Sequence, residues 1–65
     1  MSTFQLTPFD SIEAPLLVEA DEHAVEGLFH VFRRTALVMG HPRPVVVRRV
    51  PAALVARVEI VAVPG

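Results

Sequence analysis

Three histidines, His23, His30 and His41, are the side chains in this sequence that exchange protons near neutral pH, so acid–base or metal chemistry would fall to them. On a helix, His23, Glu26 and His30 would share part of one face and could offer two imidazoles and a carboxylate to a divalent metal. That spacing matches no established ligand pattern, and the chain has no cysteine to complete a tetrahedral set. Hydrogen-bonded surface histidines are therefore expected, with no metal. Nucleophilic catalysis wants a Ser, Thr or Cys held by a base. The serines are Ser2 and Ser11, both near the start, and no G-x-S-x-G elbow occurs. Glu19, Asp21, Glu22 and Glu26 cluster but lack the alternating spacing of a calcium loop. Gly27, Gly40 and Gly65 stand alone, so there is no glycine-rich phosphate cradle. The expectation is a non-enzymatic protein without a cofactor.

The arginines carry the sharper signal. Arg33, Arg34, Arg43, Arg48, Arg49 and Arg57 all follow residue 27, whereas every carboxylate except Glu59 precedes it. If Arg34 and Arg48 project from neighbouring strands, they form a stripe able to contact phosphates. Arg33, Arg34, Arg43, Arg48 and Arg49 are accordingly the candidate anion or nucleic-acid contacts. Net charge is only −1, and the four phenylalanines are the only aromatic residues that could stack on bases. Pairing of the arginines with Glu19, Asp21, Glu26 and Glu59, within one chain or across a dimer, is the preferred reading. His41-Pro42-Arg43-Pro44 resembles a proline-rich ligand in composition but is better read as a turn.

Sixty-five residues are expected to make one small domain, and 52% of them are hydrophobic. A small core, no covalent staple and surplus apolar surface point to self-association, as a homodimer, and to a protein partner in a regulatory role. The candidate interface is Phe29, Val31, Val45, Val46, Val47, Val61 and Val63. The first residues hold no basic n-region and no apolar h-region, so no signal peptide is expected. No apolar run approaches the length of a membrane span. A cytoplasmic setting without membrane contact follows as an expectation. Basicity carried by arginine alone, amid abundant Ala, Val and Pro, suggests a bacterial, high-GC coding sequence.

Several elements must position these groups. Phe4–Thr7 alternates and reads as a short edge strand ended by Pro8. Phe9–Ala14 reads as a loop anchored by Phe9 and Ile12. Leu16–Ala20 reads as a strand with Leu16, Val18 and Ala20 on one face. Residues 22–39 admit two readings. As a helix, Asp21 caps it and Val25, Leu28, Phe29, Phe32, Ala36 and Met39 share a face. As strands, Glu26-Gly27 turns the chain and Leu28–Phe32 returns as a hairpin, with a further edge at Ala36–Met39. Gly27, the β-branched residues and the phenylalanines favour strands. Gly40–Pro44 reads as a rigid turn, Val45–Val50 as a strand, and Pro51–Val55 as one helical or 3₁₀ turn. Arg57–Val63 reads as the last strand, with Val58, Ile60 and Ala62 on one face, before Pro64-Gly65. The expected fold is mainly β, a small SH3-like or Sm-like barrel or meander with one helical turn near residues 51–55. The alternative is α+β, with a helix at 22–39.

Overall fold

A computed structural model describes residues 1–10 and 12–62. Its strands are β1 (Ser2–Pro8), β2 (Leu16–Ala20), β3 (Glu22–Glu26), β4 (Phe29–Val38), β5 (His41–Pro51) and β6 (Val55–Ala62). A single 3₁₀ turn, Ala52–Leu54, joins the last two strands, within the 51–55 window where the sequence calls for one. The fold is mainly β, and no α-helix occurs among the described residues.

The strands form two three-stranded antiparallel sheets, ordered β2-β1-β6 and β3-β4-β5. No ladder joins the two sheets, so the barrel is not closed. The helix alternative for 22–39 is not adopted. Gly27 sits at φ 61°, which breaks helical winding and turns β3 back into β4. Glu26 then pairs with Phe29 across a two-residue connection. The separate edge expected at Ala36–Met39 is instead continuous with Leu28–Phe32: β4 runs unbroken through Arg33–Thr35 to Val38.

The turn expected over Gly40–Pro44 is shorter than the sequence suggests. Met39 and Gly40 alone make it, both at positive φ (52° and 81°), the signature of a two-residue turn matched to strand twist. Pro42 and Pro44 already lie inside β5. They are tolerated there because β5 is an edge strand, whose outward nitrogens need no hydrogen to donate. Between Phe32↔Arg48 and Arg33↔Val46 the register shifts, leaving Val47 unopposed as a bulge.

One cluster forms the core: Phe4, Leu6, Val18, Ala20, Phe32 and Val55, with Leu16, Val50 and Val58 packed against it. The alternation Leu16-Val18-Ala20 expected from the sequence supplies the β2 side of this cluster. Of its six fully buried members, only Phe32 comes from the second sheet. Phe9 and Ile12, expected as loop anchors, are exposed instead. The bend between β1 and β2 is held locally, by Asp10 Oδ1 accepting the Ile12 N–H at 2.9 Å. Ile60, expected on the inward face with Val58, is also exposed, although it pairs with the core residue Phe4.

Val31 is buried on the opposite face of β4, at 1% exposure, outside the main cluster. The register explains how. Val31 pairs with Ala24, and the flanking rows are Glu22↔Arg33 and Glu26↔Phe29. Arg33 and Glu26 reach towards each other over the intervening Ala24–Val31 row and meet in a two-pronged ion pair, with Nη2 to Oε1 at 2.9 Å. Arg49, opposite Val31 on β5, lies 5.3 Å from the Phe29 ring centroid. Long cationic side chains thus roof this second apolar spot.

Candidate functional site

Beyond Arg33, β4 and β5 outrun both β3 and the first sheet and form a two-stranded arm. The molecule measures 43 × 30 × 14 Å, with a radius of gyration of 12.8 Å. A compact 65-residue domain would have about 10.7 Å. The arm's rows are Arg34↔Val45, Thr35↔Pro44, Ala36↔Arg43, Leu37↔Pro42 and Val38↔His41. Residues directly opposite share a face and successive rows alternate. Arg34, Ala36, Val38, His41, Arg43 and Val45 therefore occupy one face. Thr35, Leu37, Pro42, Pro44 and Val46 occupy the other.

This pattern sorts the arginines. Arg48 pairs with Phe32, two residues before Arg34, so Arg34, Arg43 and Arg48 lie on the same face. Among the described residues, none of the three has a carboxylate within ion-pair distance. Arg33 and Arg49 lie on the opposite face, one paired with Glu26 and the other stacked on Phe29. Arg57 pairs with Glu59 at 2.8 Å. The five candidate anion contacts thus split into a free set of three and a structurally engaged pair. The expected pairing of arginine with Glu19 and with Asp21 does not occur among the described residues, Asp21 meeting the N-terminal ammonium instead.

The valines split likewise. Val45 and Val46 are exposed on opposite faces of the arm, and Val47 is the bulge between Val46 and Arg48. Phe29 is partly open beneath Arg49, and Val61 is exposed on β6, in the other sheet. Val31 offers no surface from within one chain. Val63 lies outside the described residues. Three apolar residues of the arm tip escaped the sequence reading: Leu37 (77% exposed), Val38 and Met39 (95% exposed). The sequence signal for them was Gly40, directly after the apolar run Leu37–Met39; the structure makes that run a hairpin end.

Asp21 anchors the base of the arm. It is the one residue between β2 and β3, where the chain leaves the first sheet for the second. Its N–H donates to the Arg33 carbonyl at 2.8 Å, and its Oδ2 accepts the Thr35 N–H at 2.7 Å. The N-terminal ammonium lies 3.5 Å from Oδ1. The Thr35 hydrogen bond, chiefly, holds the Asp21 carboxyl below its ordinary range, helped by the ammonium and by Arg34. The Arg33 hydrogen bond does the same for Glu26.

The histidines fall on the core side of the second sheet. His23 Nε2 and His30 Nδ1 are 2.8 Å apart and their rings stack. His23 also stacks on Phe32, with centroids 4.8 Å apart, and leans on Phe4. One of the two facing nitrogens donates and the other accepts, so the accepting nitrogen carries no proton. Burial first, and His30 second, push the His23 pKa below its ordinary value. The sign follows. The unfolded chain binds a proton on His23 that the folded chain resists, so this contribution is complete above about pH 6.5 and is lost as pH falls from there. The melting temperature should therefore drop between about pH 7.5 and pH 5.5, and His23→Phe should flatten that drop. An unchanged slope in the variant would show that His23 does not carry it.

Among the described residues no group of three or more His, Asp or Glu side chains converges as a metal site, and no helix is long and apolar enough to cross a membrane. Comparison of the chain with protein-family models, with curated proteins and with solved structures gave no match.

Proposed function

We propose that this protein is a non-catalytic interaction module that self-associates as a dimer and binds a protein partner in a regulatory role. One observation supports the reading above others: the chain exposes more surface than its mass accounts for. Its accessible area is 4714 Å² for 7.1 kDa. A compact monomer of that mass exposes about 4,100 Å². The surplus is about 600 Å² per chain, or roughly 1,200 Å² for two, the lower end of what specific interfaces bury. Much of it belongs to an arm whose tip is apolar. The element order, with a strand kinked at Asp21, a long hairpin and a 3₁₀ turn before the last strand, supports an SH3-like plan opened along one seam.

Sedimentation at tens of micromolar tests the reading. A dimer is expected. A monomer throughout that range would remove the proposal. The free stripe of Arg34, Arg43 and Arg48 favours a second reading, a regulator that binds nucleic acid. It predicts an oligonucleotide complex at low salt that weakens steeply with added salt and is lost in Arg43→Ala/Arg48→Ala. Absence of any complex at low salt would end that reading.

A further inference from the structure

A sheet edge can pair only where its backbone donors and acceptors face outward unoccupied, and the two edges of the arm differ in this respect. In an antiparallel strand the N–H and C=O of one residue point to the same side, and sides alternate along the chain. The contacts of Asp21 set the phase for β4. The Arg33 carbonyl and the Thr35 N–H both point away from β5, towards Asp21. Arg34, Ala36 and Val38 therefore exchange bonds with Val45, Arg43 and His41, while Leu37 faces outward with both groups.

On β5, the outward positions opposite Thr35 and Leu37 are Pro44 and Pro42. Neither has a hydrogen to donate, so this edge is closed to a pairing strand. Pro51, opposite Phe29, obeys the same phase. β4 has no such guard. Its neighbour β3 begins at Glu22, opposite Arg33, and among the described residues no strand covers β4 beyond that point. The Leu37 N–H, the Leu37 carbonyl and the Thr35 carbonyl are left facing outward.

We infer that this edge pairs with the same edge of a second copy, two β4 strands running antiparallel about a two-fold axis at Leu37. The inference rests on the self-association proposed above and names its mode. Centred there, each Leu37 donates to and accepts from the other, which uses both free groups of Leu37 and leaves the Asp21–Thr35 bond intact. Ala36 then lies beside Val38 of the second copy, while the Asp21 carboxylate keeps its place beside Thr35, so the seam is apolar around the axis. The second copy's strand lies end to end with β3, bringing the arm tip of each chain to the Asp21–Glu22 corner of the other. The residues brought to that corner, Val38–His41, carry no carboxylate, so the approach sets no like charge against Asp21 and Glu22. The two Arg43 residues sit on the outermost strands and do not meet. Two three-stranded sheets become one of six.

The absence of native cysteine makes a direct test clean. In this register the two Leu37 Cα atoms are about 5.5 Å apart, within disulfide range. The two Thr35 Cα atoms are about 14 Å apart, beyond it. Mild oxidation should link the Leu37→Cys chain into a covalent dimer and leave the Thr35→Cys chain unlinked. Leu37→Pro removes the outward donor without touching a bond to β5. Loss of the two Leu37–Leu37 bonds should weaken dimerisation about tenfold or more, with the strand signal in circular dichroism retained. If that variant does not fold, N-methylation of Leu37 in a chemically synthesised chain removes the same donor and keeps the side chain. Equal cross-linking at both positions, or none at Leu37→Cys, overturns the inference. So does full-strength dimerisation after the donor is removed, although self-association itself then stands. A wild-type chain that stays monomeric, or that pairs this edge only with an added extended peptide, overturns the inference as well.

Discussion

Replacing Phe32 by alanine should abolish stable folding, or come close to it. Phe32 is 0% exposed and makes an edge contact with Phe4 at 5.3 Å, while His23 stacks on it from β3. Every other fully buried member of the core cluster belongs to the first sheet, so Phe32 is the plug through which the second sheet is attached. Truncating a buried phenylalanine costs about 3–5 kcal/mol. A 65-residue domain has a total stability of roughly 3–10 kcal/mol. Denaturant unfolding followed by circular dichroism should show the midpoint collapsing, with the His23 imidazole resonance returning to ordinary titration. A loss below about 1 kcal/mol would mean that the two sheets are held together by something other than this side chain.

Leu6→Ala is expected to be almost as damaging, for a different reason. Leu6 sits on β1, the central strand of the first sheet, between Leu16 on β2 and Val58 on β6, and is 2% exposed. The cavity left there is fixed by strands on both sides and cannot collapse easily, so about 2–5 kcal/mol should be lost. Leu37→Ala serves as the contrast. It deletes the same atoms from an exposed position and should change monomer stability by no more than about 0.5 kcal/mol. Thermal melts at several protein concentrations separate this monomer term from any contribution of dimerisation. Equal losses in the two variants would contradict the burial pattern described here.

The local signals in the chain were strong where one face of a strand is buried. Leu16-Val18-Ala20 alternates because β2 lies on a core, and Gly27 turns the chain because its φ is positive. The 3₁₀ turn was legible at Pro51, which ends β5 in extended conformation and stands immediately before the turn as its N-cap. Legibility failed at the prolines. Pro42 and Pro44 read as turn formers, yet on an edge strand an absent N–H costs nothing on the open side. It also failed at Val31. Apolar residues on both faces of one strand look like an interface, but here long side chains two rows apart meet over Val31 and bury it within the chain. The histidine pair was legible only as two surface histidines. Their contact depends on a β3–β4 register that places His30 one row from His23.

The acid-first, arginine-last division and the absence of cysteine, of a G-x-S-x-G elbow and of a glycine-rich loop can be read from residue type and spacing alone. So can the preference for strands, because β-branched and aromatic residues around an interior glycine leave helical winding unfavourable. Which arginines are free was decided by tertiary structure. Cross-strand neighbours come from register, and the Val47 bulge keeps Arg48 on the face of Arg34 while Glu26 claims Arg33. Which edge is open was decided there too. Proline at alternate positions is a guard only once strand pairing has determined which way each nitrogen points.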